Sequence, residues 1–337
     1  MHVYSQRGAW MSKAAHQTLA QLEQSSVKKI AVIRHAALGD MLLTRPFLIE
    51  IRKYFPNAQI TLSVVSHYQN GIPYDLIDHL HVACGNDQRE ISRFKQLSKM
   101  RELGEQDIIF DVAATPRSKI LCFVSKARLK IGFPYKITQR WLYDATILRT
   151  AFKFEAELMQ DMLHLLGHVC EFPPRFAMPG EAVSRDRPFI LYFTGSSKPE
   201  KCWPLERFTQ LVAEMASLYK DTDHLLLEGR ANWESIDPIL DKLRDLDNVH
   251  GLKNLDLEQM TAYVKGAQVL VSNDTGVRHL AIASETPTLG IFFDDYPFRY
   301  WPRYGLHDIA FNPDASIPSV VVLSEKLQRI LTRLRNK

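Results

Sequence analysis

The 337-residue chain has few cysteines and no long apolar run. Cys84, Cys122, Cys170 and Cys202 lie far apart and form no Cys-x-x-Cys pair, so neither a disulfide framework nor a zinc site is indicated. No stretch approaches the roughly 18 consecutive apolar residues of a membrane span. The N-terminus lacks the uninterrupted apolar core of a signal peptide. A cytoplasmic protein is expected, one able to rest on the cytoplasmic face of the inner membrane. Neither sign of charge dominates: the formal net charge is +4, with 46% hydrophobic and 24% charged residues, a globular balance. The turns at 34–40 and 193–201 lack Gly-x-Gly-x-x-Gly, which counts against a dehydrogenase-like dinucleotide binder.

What is present is an α/β alternation, twice over. Residues 1–28 read as an N-terminal extension with a short amphipathic helix. Ile30–Ile33, Gln59–Val65 and Ile108–Ala113 read as strands, and Asp40–Tyr54 and Glu155–Val169 as helices. Residues 173–187 fall in a run with four prolines and read as a linker. The alternation then restarts with strands at Phe189–Phe193, His224–Leu227, Val269–Val271 and Thr288–Phe293. Helices are expected at Leu205–Tyr219, Trp233–Leu246, Leu257–Lys265 and Thr275–Ser284. Two doubly wound, Rossmann-like domains follow, 29–172 and 188–313, with a ligand cleft between them. The terminal helix within 314–337 is expected to pack back toward the first domain.

Three turns carry candidate chemistry. The sharpest is Asp274-Thr275-Gly276 with His279, where a buried strand passes into a helix. The free N–H groups and positive dipole end of that helix suit an anion. Either Asp274 or Thr275 can be the N-cap. Gly276 permits close approach to the backbone, and His279 falls one helical turn on. The second turn follows Phe193: Thr194, Gly195 and Ser196 offer hydroxyl and backbone donors, and Lys201 a point charge for phosphate. The third is Arg34–Pro46, where Asp40 caps a helix, Gly39 allows an unusual backbone angle, and Asp40 or His35 is a candidate general base.

A charge block completes the pattern. Between residues 117 and 140, Arg117, Lys119, Lys126, Arg128, Lys130, Lys136 and Arg140 meet no Asp or Glu. Such a block suits an anionic acceptor or a lipid head-group surface. No stacking pattern accompanies it, so nucleic acid is not expected. Asp294–Gly305, with five aromatics and two arginines, is a bridge between domains or a lining for the sugar end of the cleft.

Taken in order, these turns resemble glycosyltransferase family 9, the ADP-heptose:lipopolysaccharide heptosyltransferases. The matching residues are Leu38-Gly39-Asp40 with Thr44 and Pro46, Lys201-Cys202-Trp203-Pro204, Asp274-Thr275-Gly276 with His279, and Thr286-Pro287-Thr288. The resemblance implies a GT-B fold and inverting transfer of a heptose or related sugar. The donor would be a nucleotide diphosphate sugar, ADP-linked, and the acceptor an anionic lipopolysaccharide or lipooligosaccharide core glycolipid. No metal and no obligatory cofactor are implied, and no Asp-x-Asp pair is arranged for a metal. Asp40 takes the base position, while Thr194, Gly195, Ser196, Lys201, Asp274, Thr275, Gly276 and His279 take donor positions. Glu228 or Glu234 would contact the nucleoside, and His35, Arg117, Lys119, Arg128, Lys136 and Arg140 lie on the acceptor side. His35-Ala36-Ala37 stands where the family often has serines, and Val277-Arg278 where it has a small or proline-like pair. The competing classes are a sugar-nucleotide epimerase on the same fold, which needs no acceptor, and a non-catalytic basic module for anionic lipid.

Overall fold

The computed structural model describes residues 9–134 and 141–336. The chain divides into two compact units, Met1–Phe176 and Ala177–Lys337. The division falls inside the proline-rich run.

The first unit begins with β1 (Trp10–Met11) and α1 (Lys13–Ala20), the short helix expected near the N-terminus. Ser12 caps α1 by accepting from Ala15 N. There follow β2 (Lys29–Ile33), α2 (Leu38–Leu42), α3 (Arg45–Tyr54), β3 (Gln59–Val65) and β4 (His79–Ala83). Then come α4 (Arg93–Arg101), β5 (Gln106–Asp111), α5 (Pro116–Val124), β6 (Ala127–Gly132), β7 (Ala145–Thr146) and α6 (Glu155–His164). The sheet order is β1-β7-β6-β5-β2-β3-β4, parallel throughout except for β1 against β7. The extension is therefore stitched to the sheet edge. Strand β2 is apolar and buried after Lys29, as a strand covered on both faces must be.

The second unit holds β8 (Phe189–Phe193), α7 (Leu205–Leu218), β9 (Asp223–Leu227), α8 (Asp237–Lys242) and β10 (Val249–Leu252). These are followed by α9 (Leu257–Gly266), β11 (Val269–Asn273), α10 (Gly276–Ala283), β12 (Thr288–Phe292), β13 (His307–Phe311) and α11 (Val320–Arg335). The order is β10-β9-β8-β11-β12-β13, all parallel. Both sheets reverse direction of growth at one point, between β2 and β5 and between β8 and β11. In open parallel sheets the crevice at that point, outside the strands' carboxyl ends, is where ligands bind.

Three expectations change. The helix expected over Asp40–Tyr54 is two: Pro46 cannot donate an N–H, so the chain breaks at Leu43–Thr44 and restarts with Pro46 in the first turn. The helix expected over Trp233–Leu246 shortens to α8, again with a proline, Pro238, in its first turn. The terminal helix spends its apolar face at home: Leu323, Leu327, Ile330 and Leu331 of α11 join the second unit's core with Phe208, Leu211 and Met215 of α7. Among the described residues no helix is long and apolar enough to cross a membrane.

Candidate functional site

At the switch point of the second unit, β11 ends on Asn273 and α10 starts at Gly276. Thr275, not Asp274, is the N-cap: its hydroxyl accepts from Arg278 N at 3.4 Å. That leaves the Asp274 carboxylate free for other work. Its Oδ1 lies 3.5 Å from His279 Nε2 and 3.9 Å from Arg278 Nη1. Asp274 Oδ1, both ring nitrogens of His279, Thr194 Oγ1 and Ser196 Oγ are buried with no hydrogen-bond partner among the described residues. A buried unsatisfied polar group costs free energy, and a cluster of them at one place marks a polar ligand site.

The loop after β8 is held against this turn by Asn273. Its amide nitrogen donates to the carbonyls of Thr194 (2.8 Å) and Gly195 (3.1 Å), and its Oδ1 accepts from Trp203 N (2.9 Å). The indole N–H of buried Trp203 donates to Pro318 O. On the other side of the loop, Trp233 Nε1 donates to Ser196 O at 3.2 Å. A Cβ on Gly195 would sit 2.3 Å from Glu234 Oε1, so any larger residue there would push the Glu234 side chain away from the loop. Of the two acids open for a nucleoside contact, Glu234 therefore lies against the donor loop, whereas Glu228 faces Lys253 at 3.6 Å.

Lys201 is not an idle charge. Its Nζ lies 2.6 Å from Asp294 Oδ2 and 3.5 Å from Asp295 Oδ2, and the hydrogen bond to Asp294 holds its pKa above the usual lysine value. Lys201, Asp274, Asp294, Asp295 and Tyr300 line a cavity of about 240 Å³.

In the first unit, Asp40 does not cap its helix. The N-cap of α2 is Ala37, without a side-chain bond, and Gly39 has ordinary helical geometry inside it. The Asp40 carboxylate instead meets Arg34 Nη2 at 3.1 Å and stays about one-third exposed. Arg34 is buried. It also donates to Asp40 O and Val112 O, and its Nη1 reaches Glu155 Oε1 at 3.1 Å; Arg149 meets the same oxygen at 3.1 Å. His35 is a poor rival as a base. Burial, followed by the charge of Arg117, pushes its imidazole down to about 3. It lines a cavity of about 330 Å³ with Thr115 and Arg117.

The basic residues named for the acceptor do not all gather there. Arg117 sits in the first turn of α5 beside that cavity, and Lys119 lies half-buried further along α5. Arg128 is the second residue of β6 and faces Asp107, which accepts from the backbone N–H groups of Lys28 and Lys29 at the start of β2. In a parallel sheet that is the end opposite to Asp40, so Arg128 is removed from the acceptor side. Lys136 and Arg140 lie outside the described residues.

Comparison with known proteins decides the family. Residues 96–312 match the family model for glycosyltransferase family 9 (heptosyltransferase). The chain belongs to glycosyltransferase family 9. Among curated relatives, the lipopolysaccharide core heptosyltransferase OpsX of Haemophilus influenzae is 24% identical over 316 residues, covering 84% of each chain. Among solved structures, E. coli heptosyltransferase WaaC with ADP-2-deoxy-2-fluoro heptose superposes with a TM-score of 0.71 at 15% identity, over 90% of this chain and 99% of that one. E. coli ADP-heptose lps heptosyltransferase II gives 0.67 at 16% identity, over 91% and 99%. The fold is GT-B, as expected, and the protein is a glycosyltransferase.

Three residues of this family 9 chain escaped the sequence reading. Arg34 and Asn273 act through partners about 70 to 120 positions away. Arg278 is fully buried at the start of α10, donates to Tyr300 O at 2.7 Å and stacks over Phe292 at 5.0 Å. Desolvation pushes its guanidinium down to about 10. An arginine in the first turn of a mostly apolar helix is the available signal. The cysteines also gain a neighbour: ligand atoms of Cys170, His168 and Glu50 lie within 4.8 Å of one another. The Glu50 oxygens there are already engaged by Lys53 (2.6 Å) and His168 (2.7 Å).

Proposed function

We propose that the protein transfers a heptose from an ADP-linked donor to a lipopolysaccharide core acceptor with inversion at the anomeric carbon. The observation that carries this is the set of orphaned buried polar groups, Thr194, Ser196, Asp274 and His279, around the N-terminus of α10. An anionic, many-hydroxyl ligand satisfies such a set. The likeness to heptosyltransferase structures solved with ADP or an ADP-heptose analogue supports the choice of donor.

The chemistry follows from the charges. The Asp40 carboxylate takes the proton of an acceptor hydroxyl as its oxygen attacks the anomeric carbon. Arg34 fixes the direction of that carboxylate. The bond from the anomeric carbon to the diphosphate oxygen breaks, and the negative charge on the leaving diphosphate is met by Lys201, released from Asp294, and by the backbone N–H groups of Thr275 and Gly276. These fixed donors meet the leaving charge without recourse to a metal. Asn273 and Gly195 shape the donor loop, and Glu234 is the nucleoside contact. Arg117 and Lys119 meet the anionic acceptor.

The test is ADP release from purified protein given ADP-heptose and other nucleotide sugars, with and without lipid A–core acceptor. Release that depends on acceptor, and that falls by about a hundredfold or more in Asp40→Ala, is expected. Donor turnover that needs no acceptor would indicate epimerisation. Unchanged activity in Asp40→Ala would remove Asp40 from the mechanism.

A further inference from the structure

Helix α5 is apolar on two faces, which one helix in a closed core does not need. Its inner face buries Leu121 and Cys122 among Ala31, Ile33 and Met100. Its outer face carries Ile120 and Phe123, 52% and 65% exposed, one helical turn apart. Trp141, 66% exposed, packs edge-on against Phe123 with ring centroids 6.1 Å apart. Helix α4 lies beside α5 and holds the most exposed of these side chains, Phe94 at 81%, between Arg93 and Lys95. Exposed large apolar side chains packed together, as Phe123 and Trp141 are, mark an interaction surface.

The charge carried by these two helices is of one sign. Residues 93–101 contribute Arg93, Lys95, Lys99 and Arg101, and residues 112–143 contain no Asp or Glu at all. Lys119 and Lys126 flank Phe123 in sequence. An apolar face with aromatics on helices whose charges are mainly cationic, with Glu90 and Glu102 just outside the ends of α4, complements one kind of surface: a bilayer with anionic head groups, whose acyl boundary takes the rings while its phosphates take the lysines. A second copy of this chain would bring the same cations into opposition, which disfavours self-association through this face.

We propose that the outer face of α4 and α5, with Ile120, Phe123 and Trp141 at its centre, docks the protein onto an anionic phospholipid membrane. This rests on the transferase reading only for its purpose, since a glycolipid acceptor is delivered in a membrane. Neither Phe123 nor Trp141 has a part in the transfer chemistry. Docking adds affinity from a few rings and several cations, and it weakens as salt screens the cations.

The experiment is co-sedimentation of the full chain with vesicles of phosphatidylcholine alone, or with about 30% phosphatidylglycerol. Binding at least about tenfold tighter to the anionic vesicles, reversed by salt, is expected. Phe123→Glu/Trp141→Glu should cut that binding about tenfold or more while leaving thermal unfolding and sugar transfer to a delipidated core oligosaccharide unchanged. Ile120→Gln serves as a milder variant should the double one fold poorly, with a smaller loss of binding expected. Equal binding to neutral and anionic vesicles, or full binding by both variants, overturns the proposal. Concentration-dependent self-association abolished by the same variants would give the face to a second copy instead. Vesicle binding without any sugar transfer would sink the transferase reading and leave the docking face standing.

Discussion

The Asn273 side chain accepts a hydrogen bond from the backbone N–H of Trp203 at 2.9 Å, and through it the end of β11 is fastened to the entrance of α7. The same amide donates to Thr194 O and Gly195 O. Three buried backbone groups thus depend on one residue. Asn273→Ala should cost about 2–4 kcal/mol in denaturant unfolding and raise the donor KM. A shift of under about 0.5 kcal/mol would show that water replaces the amide without loss.

Arg34 joins Asp40 to Glu155, and Glu155 has no exposed surface. Arg34→Met removes one of the two guanidiniums on that carboxylate and should cost about 3–5 kcal/mol of stability. Arg34→Lys keeps a cation but loses the fork that reaches Asp40 and Glu155 together. The lysine variant should lose kcat about tenfold or more with donor KM unchanged, because the effect runs through the placement of Asp40. A change confined to KM would contradict that.

Lys201 and Asp294 should behave as competitors of the diphosphate. Lys201→Met is expected to lower kcat by about a hundredfold, as loss of a charge that meets the leaving group does. Asp294→Asn frees Lys201 and should tighten ADP binding several-fold in calorimetry. Weaker ADP binding in that variant would mean that Asp294 helps the ligand rather than blocking it.

Neutral buried histidines should make the fold sensitive to acid. Burial holds His35 down to about 3 and His224 down to about 4, below the ordinary histidine value of 6.5. Their unfolded forms bind protons first, so stability is full above about pH 6.5 and falls as pH drops from there toward the folded values. His35→Gln and His224→Gln should flatten the slope of stability against pH between about 6.5 and 4. In NMR titration neither ring of the wild-type protein should change charge above pH 5. A ring titrating near 6.5 would overturn this assignment, and for His35 would restore it as a candidate base.

The strands and the phosphate-type turn were legible because their signals are local. Val269–Asn273 is an unbroken buried run, and the residues after it offer a cap and a helix start within four positions. Lys201 was legible as a cation but not as a paired one, since Asp294 lies 93 positions away. Asp40 reads as a cap in the sequence because a carboxylate stands near a helix start. The sequence does not show that Arg34, six residues earlier, turns back to claim it. Arg128 looked like part of one basic block with Arg117. Strand β6 carries it to the opposite end of the sheet, because a helix and a turn between them reverse the chain.

The sequence by itself determined two parallel α/β units, the order of their turns and the family, since hydrophobic periodicity and short motifs are written in adjacent residues. Tertiary structure alone decided which polar groups are satisfied and which are left over. Asn273 and Arg34 find hydrogen-bond partners across the fold, while Thr194 Oγ1, Ser196 Oγ, Asp274 Oδ1 and the His279 ring nitrogens are left buried without a hydrogen bond among the described residues. That distinction is a matter of burial and distance between remote positions.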